Sequence, residues 1–387
     1  MLDRDRAVVN LSRWVLLTTS TAIMAACQSA PVKSSPSPTP SPTPTPIAAC
    51  PSTPAAAGPQ VLLRNQPAPD DLVFDNDGRL LFTDITKGTL SLLLADGSVQ
   101  VLASGLREPE GIVVQNDGRI LVAEQGRNRI VAVDPQSHAV SQWRGFPNRT
   151  ANPGIDGIGP QLSSGEIVVP DSPNGVVWRV SADGKTSTQI AAGMVRPVGA
   201  AIDAGGRIFV ADEGNTLWVL DPAKHRFVTL PTPDDVLVGR DGHLFVNTLG
   251  DNAIHELDAQ GHQLNVLRGI AQPQGIALDG ADNLYYTEFN SGRIDRVVRN
   301  FILDPPTVTR VGPSTFEICP SIRRAAGFTQ PVSLSAGSSK ATLVLQLVQP
   351  GTDSSGALEV RTSERTVTIR VTAPLNLTLS QTIDLPQ

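Results

Sequence analysis

The stretch Pro109-Glu-Gly-Ile-Val-Val-Gln-Asn-Asp-Gly-Arg-Ile-Leu-Val-Ala-Glu124, followed by Asn128-Arg-Ile-Val-Ala-Val-Asp-Pro135, decides the fold. Short runs rich in valine and isoleucine, broken by Asn-Asp-Gly, read as a strand, a hairpin turn, a second strand, a loop and a third strand. The phrase returns from Pro69-Asp-Asp-Leu-Val-Phe74 to Asp84, from Pro197-Val-Gly-Ala-Ala-Ile202 to Asp212, from Pro233-Asp-Asp-Val-Leu-Val238 to Asn247, and from Pro273-Gln-Gly-Ile-Ala-Leu278 to Glu288. A looser copy runs from Ile155-Asp-Gly-Ile158 to Asp171, and most copies are followed by a fourth strand such as Gln263-Leu-Asn-Val-Leu267.

Units of four strands repeating roughly every forty residues are the signature of propeller blades. The expected fold is therefore all-β, with a six-bladed β-propeller over residues 60–300. The sixth copy has a third strand, Arg293-Ile-Asp-Arg-Val-Val298, but no fourth of its own. An orphan run, Val61-Leu-Leu-Arg64, precedes Pro69 at the offset by which Asn265-Val-Leu-Arg268 precedes Pro273. It is expected to be the outer strand of the last blade, which would remove the open edge between first and last blades.

In such a blade the start of the innermost strand and the end of the second lie at one end of the ring. The inner-strand positions are Asp70, Glu110, Asp156, Val198, Asp234 and Gln274, and the second-strand ends are Asp84, Glu124, Asp171, Asp212, Asn247 and Glu288. Residues 60–300 hold 29 acidic against 20 basic residues, a net of −9, whereas residues 301–387 hold 6 against 7. Carboxylates crowded around a channel mouth need water, arginine, backbone donors or a cation, and oxygen ligands alone suit Ca²⁺ or Mg²⁺. Glu124, Asp171, Asp212, Asn247, Gln274 and Glu288 are candidates for contact with a ligand. The second-strand acids recur in almost every copy, so they are better explained as repeat consensus, each carboxylate capping its own turn by bonding backbone N–H groups. The insertion Gly145-Phe-Pro-Asn-Arg-Thr-Ala-Asn-Pro-Gly154 before Asp156 is a candidate pocket wall or lid.

The repeats resemble NHL repeats and the six-bladed senescence-marker/gluconolactonase-like propellers, over about 240 of the 387 residues. That resemblance implies one divalent metal at the channel mouth and hydrolysis of lactones, with Asp70, Glu110, Asp156 and Asp234 as candidate ligands. The metal would polarise the ring carbonyl while a neighbouring carboxylate acts as general base. Val198 departs from the family pattern, as does the lack of its asparagine before a glycine. Tyr286-Thr-Glu-Phe-Asn-Ser-Gly-Arg-Ile-Asp-Arg296 also resembles streptogramin lyase repeats, but His138, His225, His243, His255 and His262 offer no counterpart of the expected catalytic histidines.

Ahead of the repeats, Arg4, Arg6 and Arg13 precede an apolar run from Trp14 to Ala26 that is too short to span a bilayer and suits a signal peptide. Met24-Ala-Ala-Cys27 resembles a bacterial lipobox, so residues 1–26 are expected to be removed and Cys27 lipidated; a plain secretory signal is the alternative. Residues 27–59 form a tether, and ten of the chain's 32 prolines fall between Pro31 and Pro59, a composition that favours extended polyproline II. An exported, envelope-anchored protein sees an oxidising compartment, so Cys50 and Cys319 are expected to pair, two isolated thiols being the alternative.

Residues 301–387 lose the blade phrase and alternate as Pro331-Val-Ser-Leu-Ser-Ala336, Ala341–Val348, Ala357–Arg361, Thr366–Val371 and Leu375–Leu379, which reads as a small β-sandwich-like module. The net charge of −6 disfavours nucleic acid as a partner. The expectation is a monomer touching membrane only through its lipid, with a carbohydrate, peptide, protein or other small-molecule ligand at the acidic face. Metal-dependent lactone hydrolysis and pure scaffolding are the alternatives.

Overall fold

The computed structural model describes residues 50, 55–147, 153–339, 344–348 and 357–387. Among these the fold is all-β, and three single-turn 3₁₀ segments are the only helical elements. The first repeat forms an antiparallel sheet of Pro69–Phe74, Leu80–Asp84, Thr89–Leu93 and Val99–Ala103, side by side in chain order. The second, fourth and fifth repeats build sheets of the same order, led by Pro109–Val114, Pro197–Ile202 and Pro233–Val238. In the last repeat, Ile276–Leu278, Leu284–Glu288 and Arg293–Val297 are joined by Pro59–Leu63, which pairs antiparallel with Arg293–Val297. The orphan run thus sits where the repeat phase places it.

The third repeat departs from the others. Its sheet has three strands, Ile167–Asp171, Val176–Val180 and Ser187–Ala192. Gly154, Gly157, Gly159 and Pro160 break the inner stretch ahead of it, as such residues do in strand interiors. The stretch still lies beside the sheet, since Gly159 N donates to Val168 O at 2.9 Å.

The second strands, such as Ile120–Glu124 and Ile208–Asp212, are buried along their whole length. Packed on both faces, they read as continuous apolar runs rather than strict alternations. Apolar clusters fill each junction between successive sheets. Leu90, Val122 and Val131 join the first to the second, and Leu72, Phe82, Ala277 and Tyr285 join the first to the last. Thr287 Oγ1 donates to Asp70 O at 2.7 Å across 217 residues, so the series of sheets returns on itself.

After the repeats, the hairpin Phe301–Gly312 and Thr315–Arg324 carries Leu358–Arg361 on its edge. A second sheet orders Val344–Val348, Val332–Gly337, Thr366–Ala373 and Leu377–Asp384. Their shared core includes Ile318, Leu334, Val360 and Ile369. Sequence periodicity missed the hairpin, because Pro305-Pro306 interrupts it; the strand absorbs the pair as an irregularity between Asp304 and Thr307. The last strand also begins later than expected, at Leu377, because Pro374–Asn376 forms a 3₁₀ turn. These sheets rest on the hairpin turn of the last repeat, where Thr378 N donates to Gly280 O at 2.6 Å and Asn283 Nδ2 to Phe301 O at 2.8 Å.

Cys50 and Cys319 form a disulfide with Cα atoms 5.3 Å apart, and Ala56 N donates to Arg324 O at 3.0 Å alongside it. No helix among the described residues is long and apolar enough to cross a membrane. The signal-like run, Cys27 and the proline-rich stretch up to residue 49 lie outside the described residues, as do residues 51–54.

Candidate cation site at the channel mouth

The inner strands surround a cavity of about 260 Å³ whose polar lining includes Asp70, Asp71, Asp156, Asp234, Asp235 and Gln274. The approach of neighbouring strands explains the glycines that follow the inner-strand positions. A Cβ on Gly111 would lie 2.6 Å from Gly157 Cα. In the first and fifth repeats aspartate replaces that glycine and bridges instead of packing. Asp71 Oδ1 accepts from Leu72 N and Oδ2 from Ile112 N, each at 2.7 Å, while Asp235 accepts from Val236 N at 2.7 Å and from Ile276 N.

Asp70 is 7% exposed, and its carboxylate has no hydrogen-bond or ion-pair partner among the described residues. Asp234, 8% exposed, accepts only from Asn247 Nδ2 among the described residues, at 3.1 Å. Burial raises both acids well above the ordinary aspartate range, and Asp156 is the largest charge pushing each the same way. Glu110 rises for the same reasons, burial first and then Asp156 and Asp70. Burial raises Asp71 to about 7 against the pull of its two N–H donors, and raises Asp235 well above normal with Asp71 adding to it.

One guanidinium enters this group. Arg196 Nη2 donates to Asp156 Oδ2 at 2.5 Å and Nε to Glu213 Oε2 at 2.8 Å. Burial opposes its charge, but Asp156, Glu213 and Glu110 outweigh burial and raise its pKa further. Gln125 Nε2 donates to Glu110 Oε2 at 2.5 Å and to Asp156 Oδ2 at 3.3 Å. Of the four sequence-derived ligand candidates, Asp70, Asp156 and Asp234 line the cavity, while Glu110 does not and is linked to Asp156 through Gln125. Their oxygens are not drawn into a coordination shell. Among the described residues, the one acid/histidine group with ligand atoms all within 4.8 Å is Asp241, His243 and Glu256. Arg299 Nη2 already pairs with both of those carboxylates, at 3.3 and 2.7 Å.

Most second-strand ends are buried and bonded within their own repeats. Glu124 holds Arg107 N at 2.9 Å and the Arg127 and Arg129 side chains; Asp171 holds Asn174 and Trp178; Asp212 holds Arg196 N at 2.7 Å and Trp218 Nε1 at 2.9 Å; Glu288 holds Ser291 and Arg293. Asp84 caps Lys87 N at 2.9 Å, but its buried Oδ2 has no hydrogen-bond partner. Asn247 differs, since its Nδ2 also reaches Gln274 O at 2.6 Å and so links two inner strands at the cavity. The insertion before Asp156 is described only at its ends, where Pro153 O lies 3.5 Å from Arg196 Nη1. Sequence reading missed Asp71, Asp235, Arg196 and Glu213. Asp-Asp in place of Glu-Gly or Gln-Gly after the proline was the available signal for the first two.

No model of a protein family and no curated protein matches the chain. Solved structures do match. A gluconolactonase of Xanthomonas campestris superposes with a TM-score of 0.54 at 18% identity, over 65% of this chain and 98% of that one. Regucalcin of Agrobacterium tumefaciens, a calcium-binding protein, superposes with a TM-score of 0.53 at 17% identity, over 63% of this chain and 94% of that one. A luciferin-regenerating enzyme gives a TM-score of 0.53 at 15% identity, over 62% of this chain and 95% of that one. At these identities the likeness shows the fold alone, an all-β propeller shared with these proteins.

Proposed function

We propose that this protein is an exported lipoprotein, anchored through Cys27, whose six-bladed propeller binds a divalent cation and with it an oxygen-rich ligand at the acidic mouth. The observation that carries the reading is the pair Asp70 and Asp234, more than nine-tenths buried and without a cationic partner among the described residues. Burying an unpaired carboxylate costs several kcal/mol, and a hard cation with oxygen ligands offsets that cost. Asp70, Asp156 and Asp234 would hold the cation, Glu110 would support Asp156 through Gln125, and Gln274 would offer an amide to the ligand. The six junction clusters and the strand Pro59–Leu63 support six blades closed by an N-terminal strand, with the sheets after residue 300 as a separate module. The Cys50–Cys319 disulfide supports export.

A second reading, lactone hydrolysis, is favoured by Asp71, which lines the same cavity and titrates at about 7, where a general base is effective. The bound cation would supply the Lewis acid that polarises the ring carbonyl. Metal analysis of the purified full chain, followed by a lactone panel, tests both readings. Stoichiometric Ca²⁺ or Mg²⁺ without turnover supports the binding protein, turnover lost in Asp71→Asn supports the hydrolase, and no bound cation sinks both. The anchor is tested separately, since Cys27→Ser is expected to move the protein out of the membrane fraction.

A further inference from the structure

The repeats differ most at the mouth in the fourth, where the inner-strand residue is Val198 and cannot ligate. Two residues earlier stands Arg196, where other repeats place Ala68, Glu108, Thr232 or Gln272 ahead of their prolines. Its side chain is 15% exposed and bridges Asp156 of the preceding repeat to Glu213 of its own. It therefore brings a charge into the sector of the ring that Val198 leaves without one. In the first repeat, Asp70 keeps a buried carboxylate with no partner among the described residues, in the cavity that Asp156, the acid Arg196 holds, also lines.

We infer that Arg196 is a built-in competitor of the cation, holding Asp156 away from it and setting how tightly the mouth binds. The inference rests on the proposed cation site and deepens it. With the guanidinium in place, Asp156 Oδ2 is already held by Arg196 Nη2 and Gln125 Nε2, so a cation drawn to Asp70 and Asp234 would have to compete for it. The fixed fork of arginine spans two carboxylates at once, which a lysine ammonium cannot do in the same geometry. A ligand bearing an anionic group could draw Arg196 off Asp156, and cation and ligand would then bind cooperatively, because each favours the arrangement in which that bridge is open.

Calorimetric titration of Ca²⁺ into the purified full chain tests this on the wild type, Arg196→Gln, Arg196→Lys and the double variant Asp156→Asn/Arg196→Gln. Arg196→Gln is expected to bind Ca²⁺ at least tenfold more tightly, Arg196→Lys by a smaller factor, and the double variant is expected to lose the gain. A merely structural arginine would lower the melting temperature without tightening Ca²⁺ binding. If the wild type binds Ca²⁺ and folded Arg196→Gln binds it equally or more weakly, competition is refuted and the cation site stands. If no variant binds Ca²⁺, both fall. Should Arg196→Gln fail to fold, Arg196→Lys decides alone, and an unchanged or weaker affinity overturns the inference.

Discussion

Asp70 and its neighbours show what one buried carboxylate demands. Removing a single charge from the crowded mouth should relieve the rest, so Asp70→Asn, of nearly equal volume, is expected to stabilise the cation-free protein by on the order of 1 kcal/mol or more. Denaturant melts in chelator measure this, and a destabilised variant would show that the charge is held by something other than a cation. The same variant is expected to lose most of the stabilisation that added Ca²⁺ brings. The sequence placed Asp70, Asp156 and Asp234 around one cavity because the repeat phase fixes which residue begins each inner strand. Arg196 was not legible in this way, since its role depends on reaching a residue 40 positions away, and nothing in its local pattern says so.

At the scale of elements, closure and stapling carry the predictions. Pro59–Leu63 supplies the outer strand of the last sheet, so a chain beginning at residue 64 is expected to expose an open edge and self-associate. Size-exclusion chromatography would detect this, and a stable monomer would mean that the strand is dispensable. The disulfide joins residues 269 apart, a loop for which chain-entropy reasoning gives roughly 5–6 kcal/mol as an upper figure. Cys319→Ser is expected to lower unfolding free energy by an amount up to that size in denaturant melts. The repeats and their closing strand were legible because Asp-Gly turns and apolar runs keep one phase through the ring. The hairpin Phe301–Arg324 was not, because Pro305-Pro306 hides its periodicity while tertiary pairing to Thr315–Arg324 restores the strand.

For the whole molecule, the acidic mouth predicts an inverted pH response. Asp71 titrates at about 7 in the folded chain, above the ordinary aspartate value of 3.8, so the native state holds more protons than the unfolded one between those values. Stability of the cation-free protein should therefore fall as pH rises from about 4 to about 7, with Asp70, Glu110, Asp234 and Asp235 contributing in the same direction. Bound cation should flatten that fall by stabilising the ionised forms. The most direct test is the melting temperature of the full chain at pH 7, first in chelator and then with excess Ca²⁺. The account predicts a rise of several degrees, since a ligand at 100 times its Kd adds about 2.7 kcal/mol, and predicts that Asp70→Asn and Asp234→Asn largely remove it. An identical melting temperature with and without the cation would contradict it.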